Sequence, residues 1–357
     1  MATAVDNSQD QTEVRDPAPI ELCDRVAAHV QEALDGEAGE PDQIRPVSSD
    51  EFVLTKRVEE LAERALTYLG AGYPVNLEGH AGTGKTTLAL HLAEQIARPV
   101  SLIHGDDQFN SADLIGSDQG FRTSKSIDNF VHSVLKTEET TRKIWVDNRL
   151  TIAVCEGHTL IYDEFTRSRP EANNVLLSIL SEGILNLPSL RQNGEGYLRA
   201  HPEFRAIFTC NPEEYAGVHR SQDALLDRMI PVRMDDYDRE TEVAITRAKS
   251  GVCAEDAQRI VDIVRYFREL DGYAHMPSVR AAIMIAKVTV YRGVKVDCDD
   301  PVFQRTCRDA LGLDEPRKMN GNKPLSDEVV MEGIHRAWSG SAASRSVADR
   351  SSRHLAN

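Results

Sequence analysis

Residues 79–86 read GHAGTGKT and constrain the fold of this chain more than any other segment. They match Gly-x-x-x-x-Gly-Lys-Thr, the pattern of a phosphate-binding P-loop. The segment before the loop, residues 74–78, is short and apolar enough for a buried strand. The segment after it, residues 87–97, carries apolar side chains at helical spacing. This order of strand, glycine-rich turn and helix is typical of a parallel α/β sheet that binds a phosphorylated ligand.

The residue types in the P-loop suit a bound triphosphate. Glycines let backbone N–H groups face the phosphates, and the helix that follows adds the partial positive charge of its N-terminus. Lys85 offers a cation for the β- and γ-phosphates, and the Thr86 hydroxyl is a ligand for Mg²⁺. A glycine-rich turn with an incidental lysine is the alternative, which the flanking strand and helix disfavour. We predict that ATP and Mg²⁺ bind here, the nucleotide contacting Gly79, His80, Ala81, Gly82, Thr83, Gly84, Lys85, Thr86 and Thr87.

Strand and helix patterns alternate around the P-loop. Besides 74–78, four short apolar segments are predicted strands: 100–103, 159–162, 204–209 and 230–232. Predicted helices lie between them, a hairpin is predicted from 184–187 and 197–200, and the stretch from Asp113 to about Arg142 receives no assignment. The predicted fold class is α/β, with a central parallel sheet that binds its ligand at the carboxyl ends of the strands.

After Asp238 the strand pattern stops and helical apolar faces follow, for example over 260–267 and 279–291. This predicts a small all-helical domain that would cover the nucleotide as a lid. The full division predicted is a mobile acidic arm, an α/β nucleotide-binding domain, a helical lid domain and a disordered tail, at residues 1–45, 46–237, 238–338 and 339–357.

Two acidic residues end the third predicted strand. Asp163 is predicted to hold Mg²⁺ together with Thr86, and Glu164 to orient and polarise the water that attacks the γ-phosphate. A solvated acidic turn is the alternative, and the position after a buried strand downstream of a P-loop disfavours it.

Polar residues near the later strands complete the predicted site. Asn211 follows the fourth strand, where its amide would bridge the attacking water and the γ-phosphate, although Asn-Pro is also a common turn. Arg228 precedes the fifth strand and is predicted to act as an arginine finger, with an ion pair to Asp227 or Asp223 as the alternative. Arg280 opens a lid helix and would contact the γ-phosphate, or else is a solvated surface side chain. The sequence leaves open whether Arg167 or Arg169 reaches a neighbouring subunit.

The composition excludes several function classes. The formal net charge is −16 and aromatic residues are only 6%, which disfavours a nucleic-acid backbone or a stacked single strand as partner. The acidic, lysine-poor balance also suits an organism with a salty cytosol. Cysteines and histidines lack zinc-site spacing, and no signal peptide or membrane-spanning run is visible, so we expect a soluble cytoplasmic protein.

The P-loop, Asp163 with Glu164, Asn211, Arg228 and Arg280, in this order, resemble the AAA+ ATPases over about residues 50–290. Residues 113–116 and the predicted hairpin are similar to the MoxR-type branch. Longer strings, at 78–89, 162–174 and 211–219, resemble the CbbQ/NirQ/NorQ/GvpN group and within it the gas vesicle family GvpN, in a haloarchaeal form. His80 stands where many relatives carry proline, a change that matters little because the backbone binds the phosphates.

The resemblance implies an ATP hydrolase that forms a homo-oligomer, such as a hexameric ring, and that remodels or chaperones other gas vesicle proteins in the cytoplasm, where it could associate with the vesicles. Two alternatives stay open. One is a MoxR-type ATPase that activates a metalloenzyme client. The other is a nucleotide-gated scaffold with negligible turnover.

Overall fold

The computed structural model describes residues 52–128, 136–187, 196–211, 223–269, 277–312 and 331–338, with backbone only over 118–128, over 136–144 and at Asp223. Contacts divide the chain into Met1–Gln43 and Ile44–Asn357, and all described residues belong to the second unit. The predicted arm, at 1–45, and tail, at 339–357, lie outside the described residues. The boundaries between the four segments stay predictions.

The described secondary structure alternates strands and helices up to Arg233 and is helical from Arg239. The strands are β1 (Val75–Glu78), β2 (Val100–His104), β3 (Gly116–Asp128), β4 (Lys136–Asp147), β5 (Thr159–Asp163), β6 (Ile184–Asn186), β7 (Tyr197–Arg199), β8 (Arg205–Cys210) and β9 (Ile230–Arg233). The helices are α1 (Lys56–Gly70), α2 (Lys85–Ile96), α3 (Ser111–Ile115), α4 (Arg149–Glu156), α5 (Pro170–Asn173), α6 (Val175–Glu182), α7 (Asp223–Leu226), α8 (Arg239–Ser250), α9 (Ala254–Arg268), α10 (Val279–Arg292) and α11 (Pro301–Leu311). Residues 331–338 are also helical.

Five parallel strands form the central sheet in the order β2-β5-β8-β1-β9. Helices cover it, and side chains such as Leu77, Ile161 and Ile207 are fully buried, as expected for a parallel sheet shielded from water on both sides. The strand order changes direction between β1 and β8, and ligands of open α/β sheets bind at the carboxyl ends of strands beside such a point. The predicted α/β fold with a central parallel sheet is confirmed.

Two antiparallel hairpins lie outside this sheet. β6 pairs with β7, as the sequence predicted. β3 pairs with β4 over most of the stretch to which the sequence gave no assignment, with an irregular register between Asp118 and Phe121. The helix predicted around 172–180 is interrupted at Asn174, which separates α5 from α6.

The helices after Arg233 share an apolar core of their own. Ile260, Val264 and Phe267 of α9 pack with Ile285 of α10 in this core. Glu242 of α8 is buried as well, and its carboxylate pairs with Arg265 at 3.1 Å and Arg268 at 2.7 Å. A buried carboxylate needs such partners to stay charged. Among the described helices, none has the length and apolar character that crossing a bilayer requires.

Candidate active site

A cleft of about 370 Å³ lies between the P-loop, the carboxyl ends of β5 and β8, and the first turn of α10. Most of the predicted site residues line it: Ala81, Gly82, Gly84, Lys85, Thr86, Thr87, Asp163, Glu164, Asn211 and Arg280. Gly79, His80 and Thr83 lie in the same loop but do not line the cleft. The structure thus brings together residues that are up to about 200 positions apart in the sequence.

The P-loop backbone has the conformation that its glycines allow. Gly82 and Gly84 have φ angles of 82° and 81°, in the left-handed region that side chains disfavour. The Lys85 ammonium group is buried at the loop, where it donates to the carbonyl oxygens of Gly79 at 2.8 Å and His80 at 2.7 Å. Since α2 begins at Lys85, its N-terminus and partial positive charge face the cleft. The loop therefore presents cationic and N–H groups to a bound anion.

Asp163, the last residue of β5, lies at the centre of a polar network that joins β5 to three other elements. Its Oδ1 accepts from the Thr86 hydroxyl at 2.7 Å and from the Thr209 hydroxyl at 2.6 Å. Its Oδ2 is 3.4 Å from Nδ1 of His104, which pairs with Asp163 in the β2–β5 register. The carboxylate is thereby fixed beside the Thr86 hydroxyl, and these are the two oxygen groups predicted to hold Mg²⁺.

Glu164 leaves β5 with φ 52° and ψ 41°, a left-handed conformation that is uncommon for a residue other than glycine. Its backbone carbonyl packs so closely on Gly105 that a side chain there would overlap it. Its carboxylate pairs with Nε of Arg167 at 2.8 Å. Arg169 instead pairs with Asp107 at 3.4 Å. Both arginines therefore have acidic partners within their own chain.

Of the remaining predicted residues, Asn211 and Arg280 line the cleft, whereas Arg228 lies outside it. Asn211 is buried directly after β8, and Arg280 reaches the cleft from α10. Asn211 lies at the carboxyl end of β8, and Arg280 lies beside Gly82, whose missing side chain leaves room for α10. Arg228 does not line the cleft, and its guanidinium group donates to the Ser181 hydroxyl and to the Ala224 carbonyl oxygen.

Three residues at or near the cleft were not predicted from the sequence to belong to the site. Thr209 and His104 contact Asp163 from the neighbouring strands, and Tyr237 lines the cleft after β9. Burial raises the pKa of Tyr237 to about 12, so that its hydroxyl stays neutral. The available signal for Thr209 was a polar residue inside an apolar strand, two positions before Asn211.

One end of the cleft is apolar and the other is charged. Side chains from the segment before α1, from α1, α8 and α10 form the apolar end: Phe52, Val53, Val58, Ile245 and Ile283. Phe52 also stacks on His91 of α2, with ring centroids 4.1 Å apart. An apolar end beside a phosphate-binding end fits the two parts of a nucleotide, a flat base and a charged tail.

Cys210, at the end of β8, carries a buried thiol near the cleft. Burial raises the pKa of this thiol to about 11, and the hydrogen bond that the Asn76 amide donates to it at 3.4 Å has a smaller, opposite effect. The thiol is therefore protonated at neutral pH and is a poor nucleophile.

Comparisons with known proteins agree with this geometry. Residues 74–229 match the family described as AAA domain (dynein-related subfamily). "Gas vesicle ATPase GvpN" of Ancylobacter aquaticus is 49% identical over 283 residues, 79% of this chain and 78% of that protein. The protein of the same name from Haloferax mediterranei is 47% identical over 282 residues, 78% of each. "Protein NorQ" of Paracoccus denitrificans is 28% identical over 229 residues, 63% of this chain and 76% of NorQ.

These relatives confirm the resemblance drawn from the P-loop and the acidic pair, while haloarchaeal origin stays a prediction. The match to the gas vesicle ATPases extends well beyond the AAA domain, over more than three quarters of both sequences. The chain therefore belongs to the family of the gas vesicle ATPase GvpN, a family of ATPases built on an AAA domain.

Proposed function

We propose that this chain hydrolyses ATP to ADP and phosphate in the cleft described above, and that the reaction serves gas vesicle formation. The observation that carries the proposal is the convergence of Lys85, Thr86, Asp163 and Glu164 on one cleft. The gas vesicle role is inferred from the two relatives that are close to half identical.

The residues present fit Mg²⁺ and ATP as ligands. Thr86 and Asp163 offer a hydroxyl and a carboxylate oxygen, the hard donors that Mg²⁺ prefers, and they already lie 2.7 Å apart. Lys85 and the N-terminus of α2 would hold the phosphates. The apolar end with Phe52 and Ile283 would hold the base.

Bound Mg²⁺ supplies positive charge to the β- and γ-phosphate oxygens. In the mechanism we propose, the Glu164 carboxylate orients the attacking water and accepts its proton. The Asn211 amide holds the same water from the end of β8. Arg280 contacts the γ-phosphate from α10, and closing the lid helices over the cleft would exclude bulk water from the reaction.

Arg228 has a different place in the proposal. Because its guanidinium group lies outside its own cleft, we propose that it acts on the cleft of a neighbouring subunit in a homo-oligomer, such as a hexameric ring. Other gas vesicle proteins, shell or accessory, are the proposed clients. The proposed location is the cytoplasm, in association with gas vesicles.

The test of this proposal is the variant Glu164→Gln, which keeps size and shape but removes the base. We expect Mg²⁺-dependent phosphate release to fall about 100-fold or more, while ATP binding persists. Glu182→Gln, at the exposed end of α6, is the matched control and should keep full turnover. Unchanged turnover in Glu164→Gln would remove Glu164 from the mechanism.

A second experiment addresses the client. Glu164→Gln, loaded with ATP, should retain its client longer than the wild type does because the cycle stops before hydrolysis. We expect gas vesicle proteins to co-purify with it and to be released by exchange for ADP. Recovery of a metalloenzyme in their place would contradict the proposed role.

A further inference from the structure

Thr209 is a fully buried polar residue near the carboxyl end of β8. We propose that its hydroxyl group is a positioning group for ATP hydrolysis, which holds the side chain of Asp163 and the backbone of Glu164 in register with each other. This inference rests on the proposed hydrolysis at the acidic pair, and it assigns to Thr209 a role in turnover without contact to the substrate.

The hydroxyl of Thr209 donates one hydrogen bond and accepts another. It donates to Oδ1 of Asp163 at 2.6 Å and accepts from the backbone N–H of Glu164 at 2.8 Å. A threonine hydroxyl has one hydrogen to donate and lone pairs to accept with, so this single group serves both acidic residues. Removing it would disturb both contacts at once.

The position of Thr209 in the sheet explains why a side chain is needed there. The register between β5 and β8 ends at the pair Tyr162 and Phe208. Two residues further along, Glu164 turns away from the strand into its left-handed conformation. The Thr209 hydroxyl accepts from the Glu164 N–H at the point where the ladder stops, so that this N–H has a partner although no strand residue pairs with it.

Asp163 is oriented from two sides. Its Oδ1 accepts from Thr86 on α2 and from Thr209 on β8, and hydrogen bonds to a charged carboxylate are stronger than neutral ones. With Oδ1 held in this way, the rotation of the carboxylate is fixed relative to the P-loop. Thr209 therefore connects the β8 strand, which Asn211 directly follows, to the groups proposed to hold Mg²⁺ and to activate water.

A merely structural threonine offers the comparison. Thr159 is also fully buried, at the opposite end of β5, and its hydroxyl has no hydrogen-bond partner among the described residues. Valine has nearly the shape of threonine without the hydroxyl. Thr159→Val therefore tests loss of a buried hydroxyl in the same sheet, and Thr209→Val tests loss of the hydroxyl that contacts the acidic pair.

The experiment measures Mg²⁺-dependent phosphate release, binding of a fluorescent ATP analogue and thermal unfolding for both variants and for Thr209→Ser. We expect Thr209→Val to lower kcat by on the order of 100-fold, as small misplacements of catalytic groups do, with the dissociation constant for ATP changed less than about threefold. Its half-activating Mg²⁺ concentration should rise. Thr209→Ser keeps the hydroxyl and should retain most of the turnover, and Thr159→Val should match the wild type.

Three outcomes would overturn the inference: a folded Thr209→Val with wild-type kcat, a Thr209→Ser as inactive as Thr209→Val, or an equal loss in Thr159→Val. If Thr209→Val does not fold, the pair Thr209→Ser and Thr209→Ala separates the hydroxyl from the lost methyl group, and equal kcat in that pair would contradict the proposal. Absence of turnover in the wild type would instead contradict the proposed function itself.

Discussion

Cys210 and Cys307 are thiols that folding makes unreactive. Burial raises the pKa of Cys210 to about 11 and that of Cys307 to about 12, from an ordinary value of about 9. Above pH 9 the unfolded chain therefore binds fewer protons than the folded chain. Below pH 9 the contribution of these two thiols to the free energy of unfolding is therefore fully present. That contribution is lost, and the free energy of unfolding falls, as the pH rises from 9 toward 12.

These thiols give a prediction for chemical labelling. At pH 8 in the folded protein, iodoacetamide should modify the exposed Cys155 and Cys253 and leave Cys210 and Cys307 unmodified, because the thiolate is the reactive form. Peptide mapping by mass spectrometry measures each site, and the unfolded chain, in which all four should react, is the control. Modification of Cys210 as fast as Cys253 would contradict the packing described for β8.

The sequence predicted some residues of the cleft and missed others, for a physical reason. The P-loop and the acidic pair depend on consecutive residues, so that their chemistry is visible in short strings. The contacts of Thr209 and His104 with Asp163 depend on which strands are neighbours in the sheet. Those contacts join residues 46 and 59 positions apart, and only the strand order brings them together.

At the scale of elements, the P-loop and α10 meet at Gly82. A side chain at this position would overlap the hydroxyl of Ser278, which also caps α10 by accepting from the Arg280 N–H at 3.3 Å. The helix that carries Arg280 is thus seated directly against the P-loop. This contact gives a route by which a phosphate bound at the loop would affect the position of the lid helices.

Gly82→Ala should disturb the contact between the P-loop and α10 in two ways. The left-handed backbone would cost about 1 kcal/mol with alanine, and the new methyl group would push α10 away. We expect ATP binding to weaken at least tenfold, measured by titration with a fluorescent analogue. Adding Ser278→Gly should restore part of the affinity by removing the overlap.

Gly183→Ala is the matched control for that experiment. Gly183 also has a positive φ, of 65°, but no neighbouring atom lies where its side chain would go, and it ends α6 outside the cleft. This variant should lower the thermal stability and leave ATP binding unchanged. Equal loss of binding in both glycine variants would mean that the contact with Ser278 has no special effect.

The elements themselves were predicted where their periodicity was clear. The five sheet strands are short apolar runs and were all assigned. The β3–β4 hairpin was not, because its segments, GSDQGFRTSKSID and KTEETTRKIWVD, are mostly polar and lack the alternation that marks a half-buried strand. Among the described strands, β3 and β4 pair with each other and not with the central sheet, although Trp145 near the end of β4 packs against the sheet core.

At the scale of the whole molecule, the proposed action of Arg228 on a neighbouring subunit makes a prediction about assembly. If Arg228 is an arginine finger, a chain in which it lies outside its own cleft would need a second copy for full activity. We expect Lys85→Ala and Arg228→Ala each to be inactive alone. Their mixture should recover activity, because some interfaces then combine an intact P-loop with an intact Arg228.

Phosphate release at varied mixing ratios measures this complementation. Arg233→Ala, an exposed arginine on β9 whose side chain lies 3.8 Å from Glu78, is the control and should be active without mixing. A mixture no more active than its components would contradict the action of Arg228 on a neighbouring subunit.

If the cleft at Lys85, Asp163 and Glu164 is the ATP site of this chain, the purified protein must bind ATP there. The measurement is isothermal titration of the purified full chain with ATP and Mg²⁺, beside Lys85→Ala and the control Lys287→Ala on the outer face of α10. We expect saturable binding by the wild type and by Lys287→Ala, and binding at least tenfold weaker in Lys85→Ala. Absence of binding by the wild type, or unchanged binding by Lys85→Ala, would contradict this assignment.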